Sequence, residues 1–134
     1  FRKGETISRP YVVVSQNAWS CQRSVRFENF ICIRTYHDGL KEFDPVMLFA
    51  LDFDPHEEHN IAEDHPELVA RAMSMLAEWE EENKLTSTTN VDPMMTVLRE
   101  GGPFHTRGKA QALIARLEAG GMHAQADRLR AKHG

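Results

Sequence analysis

His105-Thr106-Arg107 is the polar triplet with the widest chemical scope in this chain. It follows Gly101-Gly102-Pro103, which ends one helix-forming stretch, and precedes Gly108 and another. An arginine at a helix N-terminus is electrostatically out of place, because that end already carries partial positive charge. Arg107 and the helix end together would attract an anion, the planar guanidinium matching a pair of oxygens. His105 donates or accepts near neutral pH. The rival reading pairs Arg107 with Glu100 or Asp92 and packs His105 on Phe104. His56-Glu57-Glu58-His59 is close to a zinc-binding helix pattern, but that pattern needs histidines four apart on one helical face. Here they are three apart and directly follow Asp54-Pro55, which cannot be mid-helix. The stretch reads as a solvated acidic turn, and no metal site is assigned.

Cys21 and Cys32 are the two cysteines, too few for a disulfide framework. A hairpin turning at Glu28-Asn29 sets Cys32 opposite Val25 and Cys21 opposite Tyr36. That separates the thiols by ~13 Å along the strands, against the ~7 Å that a disulfide tolerates. Both are expected to be free, which favours a reducing compartment such as the cytoplasm.

The elements that must position these groups are legible from periodicity. Of 134 residues, 41% are hydrophobic and 27% charged, the balance of a globular domain. The net charge of −4 offers no basic field for nucleic acid. No apolar run approaches the ~20 residues that span a bilayer, so no membrane partner is expected. Phe1–Arg9 is polar and reads as a loose leading segment, and a natural start upstream of Phe1 is expected. Tyr11–Ser15 is β-branched, bounded by Pro10 and Asn17, and reads as a buried strand. Trp19 follows in a loop. Arg23–Phe27 and Phe30–Tyr36 form the hairpin, with Val25, Phe27, Phe30 and Cys32 on one face and Ile31 and Ile33 on the other. Apolar residues on both faces place this pair inside a sheet. Val46–Phe53 alternates as a fourth strand, stopped by Asp54-Pro55.

A helix opens near Pro66. Asp64 and Glu67 have capping-box spacing, while proline at the first helical position makes His65 the N-cap. Leu68, Ala72, Met75, Leu76 and Trp79 form its apolar stripe, with Val69 and Met73 beside it, and Glu78, Glu80, Glu81 and Glu82 face water. It is expected to end near Asn83. Leu85–Asn90 is a polar connector. Asp92-Pro93 caps a short helix to Arg99. Ala110, Leu113, Ile114 and Leu117 have helical spacing up to Gly120-Gly121, and Met122, Ala126 and Leu129 mark a last helix, giving a helical hairpin. The fold class is α+β: a roughly four-stranded antiparallel sheet with one amphipathic helix packed on it, then a helical C-terminal tail. The division falls at 1–90 for sheet and helix and 91–134 for the tail.

The stretch Leu48-Phe49-Ala50-Leu51-Asp52-Phe53-Asp54-Pro55-His56-Glu57-Glu58-His59-Asn60-Ile61-Ala62 runs strand, acidic Asp-Pro turn, Asn-Ile-Ala, then the helix. In that order it resembles the C-terminal region of arylsulfatase-type sulfatases, in the alkaline phosphatase-like superfamily. There a strand of the Leu-(Phe/Tyr)-Asp-Leu kind precedes Asp-Pro, an acidic turn and Asn-Leu-Ala. Ala50 and Ile61 depart from that pattern. Ser24-Val25-Arg26 and the aromatic strand ending Ile33-Arg34 are similar too, with Phe30-Ile31-Cys32 replacing the family's usual lysine and tyrosine. Asp92–Gly108 resembles the tail of one bacterial group of sulfatases.

The resemblance implies that this is a C-terminal piece whose N-terminal catalytic domain lies outside the chain. Sulfatases make formylglycine from the first residue of Cys/Ser-x-Pro-x-Arg and hold calcium with Asp and Asn. Cys21-Gln22-Arg23 and Cys32-Ile33-Arg34 lack the proline, so no catalytic residue is assigned here. Formylglycine and calcium are expected in the absent domain, which would also be the partner of this piece. His105 and Arg107 are the candidate substrate-binding residues. Self-association of the fragment is expected, because one helix covers only one sheet face. The same body on a phosphoester or phosphonate monoester hydrolase, or a free-standing interaction module, are the alternatives.

Overall fold

A computed structural model describes residues 9–134, so the expected leading segment lies, apart from Arg9, outside the described residues. Four strands form one antiparallel sheet in the order β1-β2-β3-β4: β1 Tyr11–Gln16, β2 Cys21–Phe27, β3 Phe30–His37 and β4 Val46–Ala50. The hairpin turns at Glu28-Asn29, with Glu28 in left-handed backbone, and Val25 pairs with Cys32. A register irregularity between Cys21 and Gln22 moves Cys21 opposite His37 instead of Tyr36.

Helix α1 (Pro66–Thr86) covers one sheet face. Its N-cap is His65, with Pro66 at the first position. Ala72 and Leu76 are buried against Val25, Phe27, Cys32 and Leu48, flanked by Leu68, Val69, Met73, Met75 and Trp79. Burying a Leu or Phe side chain in this way contributes ~1.5–3 kcal/mol before entropy is counted. The helix runs past Asn83 to Thr86, whose hydroxyl bonds back to the Glu82 carbonyl.

Two strands differ from expectation. β1 is an edge strand and not a buried one: Tyr11 and Val13 pack on the core, while Val12 and Val14 on the other side are exposed. β4 ends at Ala50, three residues early. Its partner Phe30 is the first residue of β3, so nothing continues the ladder beyond that pair. Leu51 N–H donates to the Asn29 carbonyl, Phe53 and Asp54 turn back onto the Ala50 carbonyl, and Phe53 is 92% exposed.

Asn60 explains why the chain can leave β4 and return. Its side-chain oxygen accepts from Leu48 N–H (3.0 Å) and Ala62 N–H (3.1 Å), and its amide donates to Asp44 (3.0 Å) and to the Val46 carbonyl (3.2 Å). Ile61 N–H then donates to the Leu48 carbonyl at 2.9 Å. One side chain satisfies the open edge of β4 without a fifth strand.

The tail comprises α2 (Pro93–Arg99), a 3-10 turn (Phe104–Thr106), α3 (Ala110–Ala119) and α4 (His123–His133). Asp92 caps α2 by accepting from Met94 N–H at 3.0 Å. The α3–α4 hairpin buries Ile114, Ala126 and Leu129 with Leu40 of the β3–β4 connector packed against them. Arg128 pairs with Glu42, and Lys132 and His133 both reach the buried Asp38.

Candidate functional site

His105 and Arg107 lie on and just after the 3-10 turn, which Thr106 anchors through its hydroxyl bond to the Pro103 carbonyl. Arg107 Nε donates to the Gly102 carbonyl at 2.9 Å and Nη2 pairs with Glu100 at 2.8 Å, leaving the side chain 30% exposed. Its guanidinium also lies 5.6 Å from the Phe104 ring centre. His105 meets Trp19 edge to face at 5.2 Å, so Trp19 and not Phe104 is its aromatic neighbour. Lys41 Nζ approaches the same Trp19 ring at 5.6 Å and Phe43 at 5.7 Å. Three connecting segments therefore meet at one end of the molecule. Gly39, with φ of +70°, lets two of them touch, because a Cβ there would strike the Trp19 carbonyl.

A second polar centre is Arg23 of β2, which periodicity alone does not single out. Its side chain is 4% exposed and bridges Glu80 of α1 (2.5 Å) and Asp92 before α2 (2.6 Å). The guanidinium also faces the rings of Trp79 (5.3 Å) and Tyr36 (5.9 Å). Burial works against its charge, yet the hydrogen bonds it donates to Asp92 and Glu80 outweigh it and hold the pKa above the ordinary value. Burial and then the Glu80 charge push Tyr36 up as well. Glu80, expected to face water, is thus committed to the sheet. Arg23 floors a 490 Å³ cleft between the end of α1 and the connector to α2. Its Nε has no hydrogen-bond partner among the described residues. The only advance signal was an arginine on the same strand face as the buried Val25 and Phe27.

Asp54, Glu58 and His59 bring ligand-type atoms within 4.8 Å of one another. The Asp54 carboxylate accepts from Glu58 N–H (3.0 Å) and His59 N–H (2.8 Å), and those bonds hold its pKa down. The arrangement is that of a side-chain-capped turn. Its oxygens are already engaged by backbone donors, so it does not fit the carboxylate–asparagine cradle that sulfatase calcium calls for.

Cys21 and Cys32 are free and wholly buried. Burial pushes the Cys32 thiol up to about 11 and raises Cys21 also. Both stay protonated near neutral pH and out of reach, so neither fits a formylglycine precursor. His37 sits where sheet and tail meet. Its Nδ1 accepts from Gly39 N–H at 3.0 Å, its ring lies 5.1 Å from that of His133, and Gly102, with φ of +93°, approaches it too closely for any Cβ.

No family model matches the chain, and no curated protein matches it. Among solved structures, it is similar to a protein of Bacteroides thetaiotaomicron, described with that organism's metabolism of multiple glycosaminoglycans, at 22% identity over 55% of this chain with a TM-score of 0.43. It is also similar to yidJ of Bacteroides fragilis, assigned as a sulfatase, at 24% identity over 63% of this chain with a TM-score of 0.42. The chain spans about 17% of the length of each, so what it resembles is a small part of a sulfatase structure.

Proposed function

We propose that this chain is the C-terminal part of a sulfuric ester hydrolase. By itself it is non-catalytic; it packs on the catalytic domain and helps shape the substrate pocket. The observation that carries the reading is the ordered stretch Leu48–Ala62. Two of its residues have a defined job: Asp54 caps the turn, and Asn60 closes the β4 edge and starts the return. An arbitrary β-turn-α connection needs neither device. The sheet face opposite α1 supports the packing role, since it carries Val12 and Val14 exposed on β1 and, across Arg26 and Ser24 of β2, the apolar Ile31, Ile33 and Met47. In this reading His105 and Arg107 contribute to substrate binding.

The test is peptide mass spectrometry of the natural gene product that contains this chain. The expected result is a Cys/Ser-x-Pro-x-Arg peptide upstream whose first residue has become formylglycine. An unconverted nucleophile with activity on phosphate or phosphonate monoesters would assign the body to that branch of the superfamily. A gene product with no further domain would leave a free-standing module and overturn the reading.

A further inference from the structure

We infer that His37 is an acid-sensitive latch: its neutral ring holds the turn that seats the α3–α4 hairpin on the sheet body, and protonation of the ring lets the hairpin go. The latch stands whichever reaction the natural gene product performs.

The turn is Asp38-Gly39-Leu40. Gly39 and Leu40 both have left-handed backbone, with φ of +70° and +63°. That conformation is costly for a leucine, so the turn persists only where its surroundings hold it. Two side chains do so: His37 Nδ1 accepts from Gly39 N–H at 3.0 Å, and Asp38 Oδ1 accepts from Leu40 N–H at 3.0 Å. Leu40 in turn packs on Ile114, Ala126 and Leu129, the core of the hairpin. A ring nitrogen that accepts from Gly39 N–H carries no proton. Protonation there sets two hydrogens face to face and breaks the bond. Gly102 is packed against the other ring nitrogen, which leaves the ring little room to turn.

The surrounding charges act in the same direction. His133 of α4 lies 5.1 Å from His37 ring to ring, and Lys132 is next to it. His105 of the 3-10 turn is near enough to repel a charge on the ring. Cys21, opposite His37 on β2, stays a neutral thiol. Arg107 is paired with Glu100, and Arg128 with Glu42. Asp38 is the carboxylate that answers this group, and it already receives Lys132 at 3.3 Å and His133 at 2.8 Å. A proton on His133 alone would tighten its bond to Asp38, so the trigger is His37. Burial, and next His133, hold the His37 pKa below 6.5, so its grip on the turn is lost as pH falls from there. The hairpin is also built to leave as a unit. It has its own core, and Arg130 braces Glu118 of α3 to Asp127 of α4. Among the described residues, its hydrogen bonds and ion pairs to the sheet body all go to Asp38, Glu42 and Phe43, on the one connector that His37 controls.

The experiment is hydrogen–deuterium exchange by mass spectrometry on the natural gene product that contains this chain. It is run at about pH 7.5 and about pH 5.5, with rates corrected for the intrinsic effect of pH. Helices as short as α3 and α4 are marginal alone, so release reads as lost protection. Peptides from 110–133 should exchange several-fold faster in acid. The ceiling is about 10-fold, because the open state protonates at 6.5, about one unit above the acid assay. Peptides from β2 and α1 should not change. In His37→Gln, whose amide oxygen accepts from Gly39 N–H without titrating, the difference between the two pH values should vanish. Should that variant not fold, the parent's pH series decides: the latch requires opening that begins near 6.5, and opening that begins only near the carboxylate values of ~4 would overturn it. Equal protection at both pH values, quickening of sheet and hairpin alike, or opening retained in His37→Gln would each overturn it as well.

Discussion

Arg23 and Arg107 both pair with carboxylates, but they are different devices. Arg23 is 4% exposed, and its partners Glu80 and Asp92 are 57 and 69 residues away in the chain. It joins the sheet, the end of α1 and the start of the tail. Arg107 is 30% exposed and its partners, Glu100 and the Gly102 carbonyl, lie only a few residues before it in the same connecting segment. It shapes a local segment and keeps one nitrogen out of both bonds. A buried cation tied to distant elements holds an architecture together. A half-exposed cation tied only to its own loop can lose its pairing without cost to the fold, and that makes it available to a ligand.

The comparison is broken first at Arg23. Arg23→Ala leaves two partly buried carboxylates facing each other, a change of about 3 kcal/mol, the low end for a buried pair because Glu80 and Asp92 keep some water. For a chain of this length that corresponds to a melting temperature lower by about 10 °C, read by circular dichroism. A variant that melts with the parent would show that the clamp is ornamental. Asn60→Ala comes next. It removes four hydrogen bonds at the β4 edge and should cost about 2 kcal/mol. Hydrogen exchange should quicken at Leu48 and Ala62 and stay unchanged in the α3–α4 hairpin; uniform quickening would contradict the local role.

A smaller effect is expected at His37, between the two regions. Burial, and then the neighbouring His133, hold its pKa below the ordinary 6.5. The folded chain keeps the ring neutral while the unfolded chain protonates at the ordinary value. Its contribution is therefore complete above pH 6.5 and is lost as pH falls from there towards the depressed folded value. The melting temperature should drop between about pH 7.5 and about pH 5.5, and less so in His37→Gln. An equal slope in both would remove His37 from the joint. Smallest for the fold is Arg107→Ala, worth under about 1 kcal/mol because the pair is open to solvent. On the proposed function, the same change in the natural gene product that contains this chain should lower kcat/KM about 10-fold, the scale of one charge-assisted hydrogen bond. Unchanged kinetics with a lowered melting temperature would confine Arg107 to its bond with Glu100.

Much of this architecture is written locally. The β-branched run bounded by Pro10 and Asn17 gave β1, alternation gave β4, a turn placed at Glu28-Asn29 gave the hairpin and its Val25–Cys32 pairing, and the i, i+3, i+4 spacing of Leu68 to Trp79 gave the face that α1 buries. Asp92-Pro93 and Gly120-Gly121 marked helix ends because caps and left-handed glycines act within a few residues. What could not be read depends on partners far away in the chain. β4 stops at Ala50 because the hairpin opposite it ends, a fact of register and not of the Leu51–Phe53 pattern. Glu80 lies one residue from the apolar stripe and looks solvated until Arg23 arrives from β2. Likewise His105 had Phe104 beside it in sequence, while the ring it meets belongs to the β1–β2 loop.

The most direct measurement is hydrolysis of nitrocatechol sulfate by the 134-residue chain alone and by the natural gene product that contains it, assayed side by side. The account predicts turnover at the buffer level for the chain, whose two cysteines are buried and lack the Pro-x-Arg context, and saturable hydrolysis by the longer protein. Saturable hydrolysis by the chain itself, surviving repurification, would contradict it.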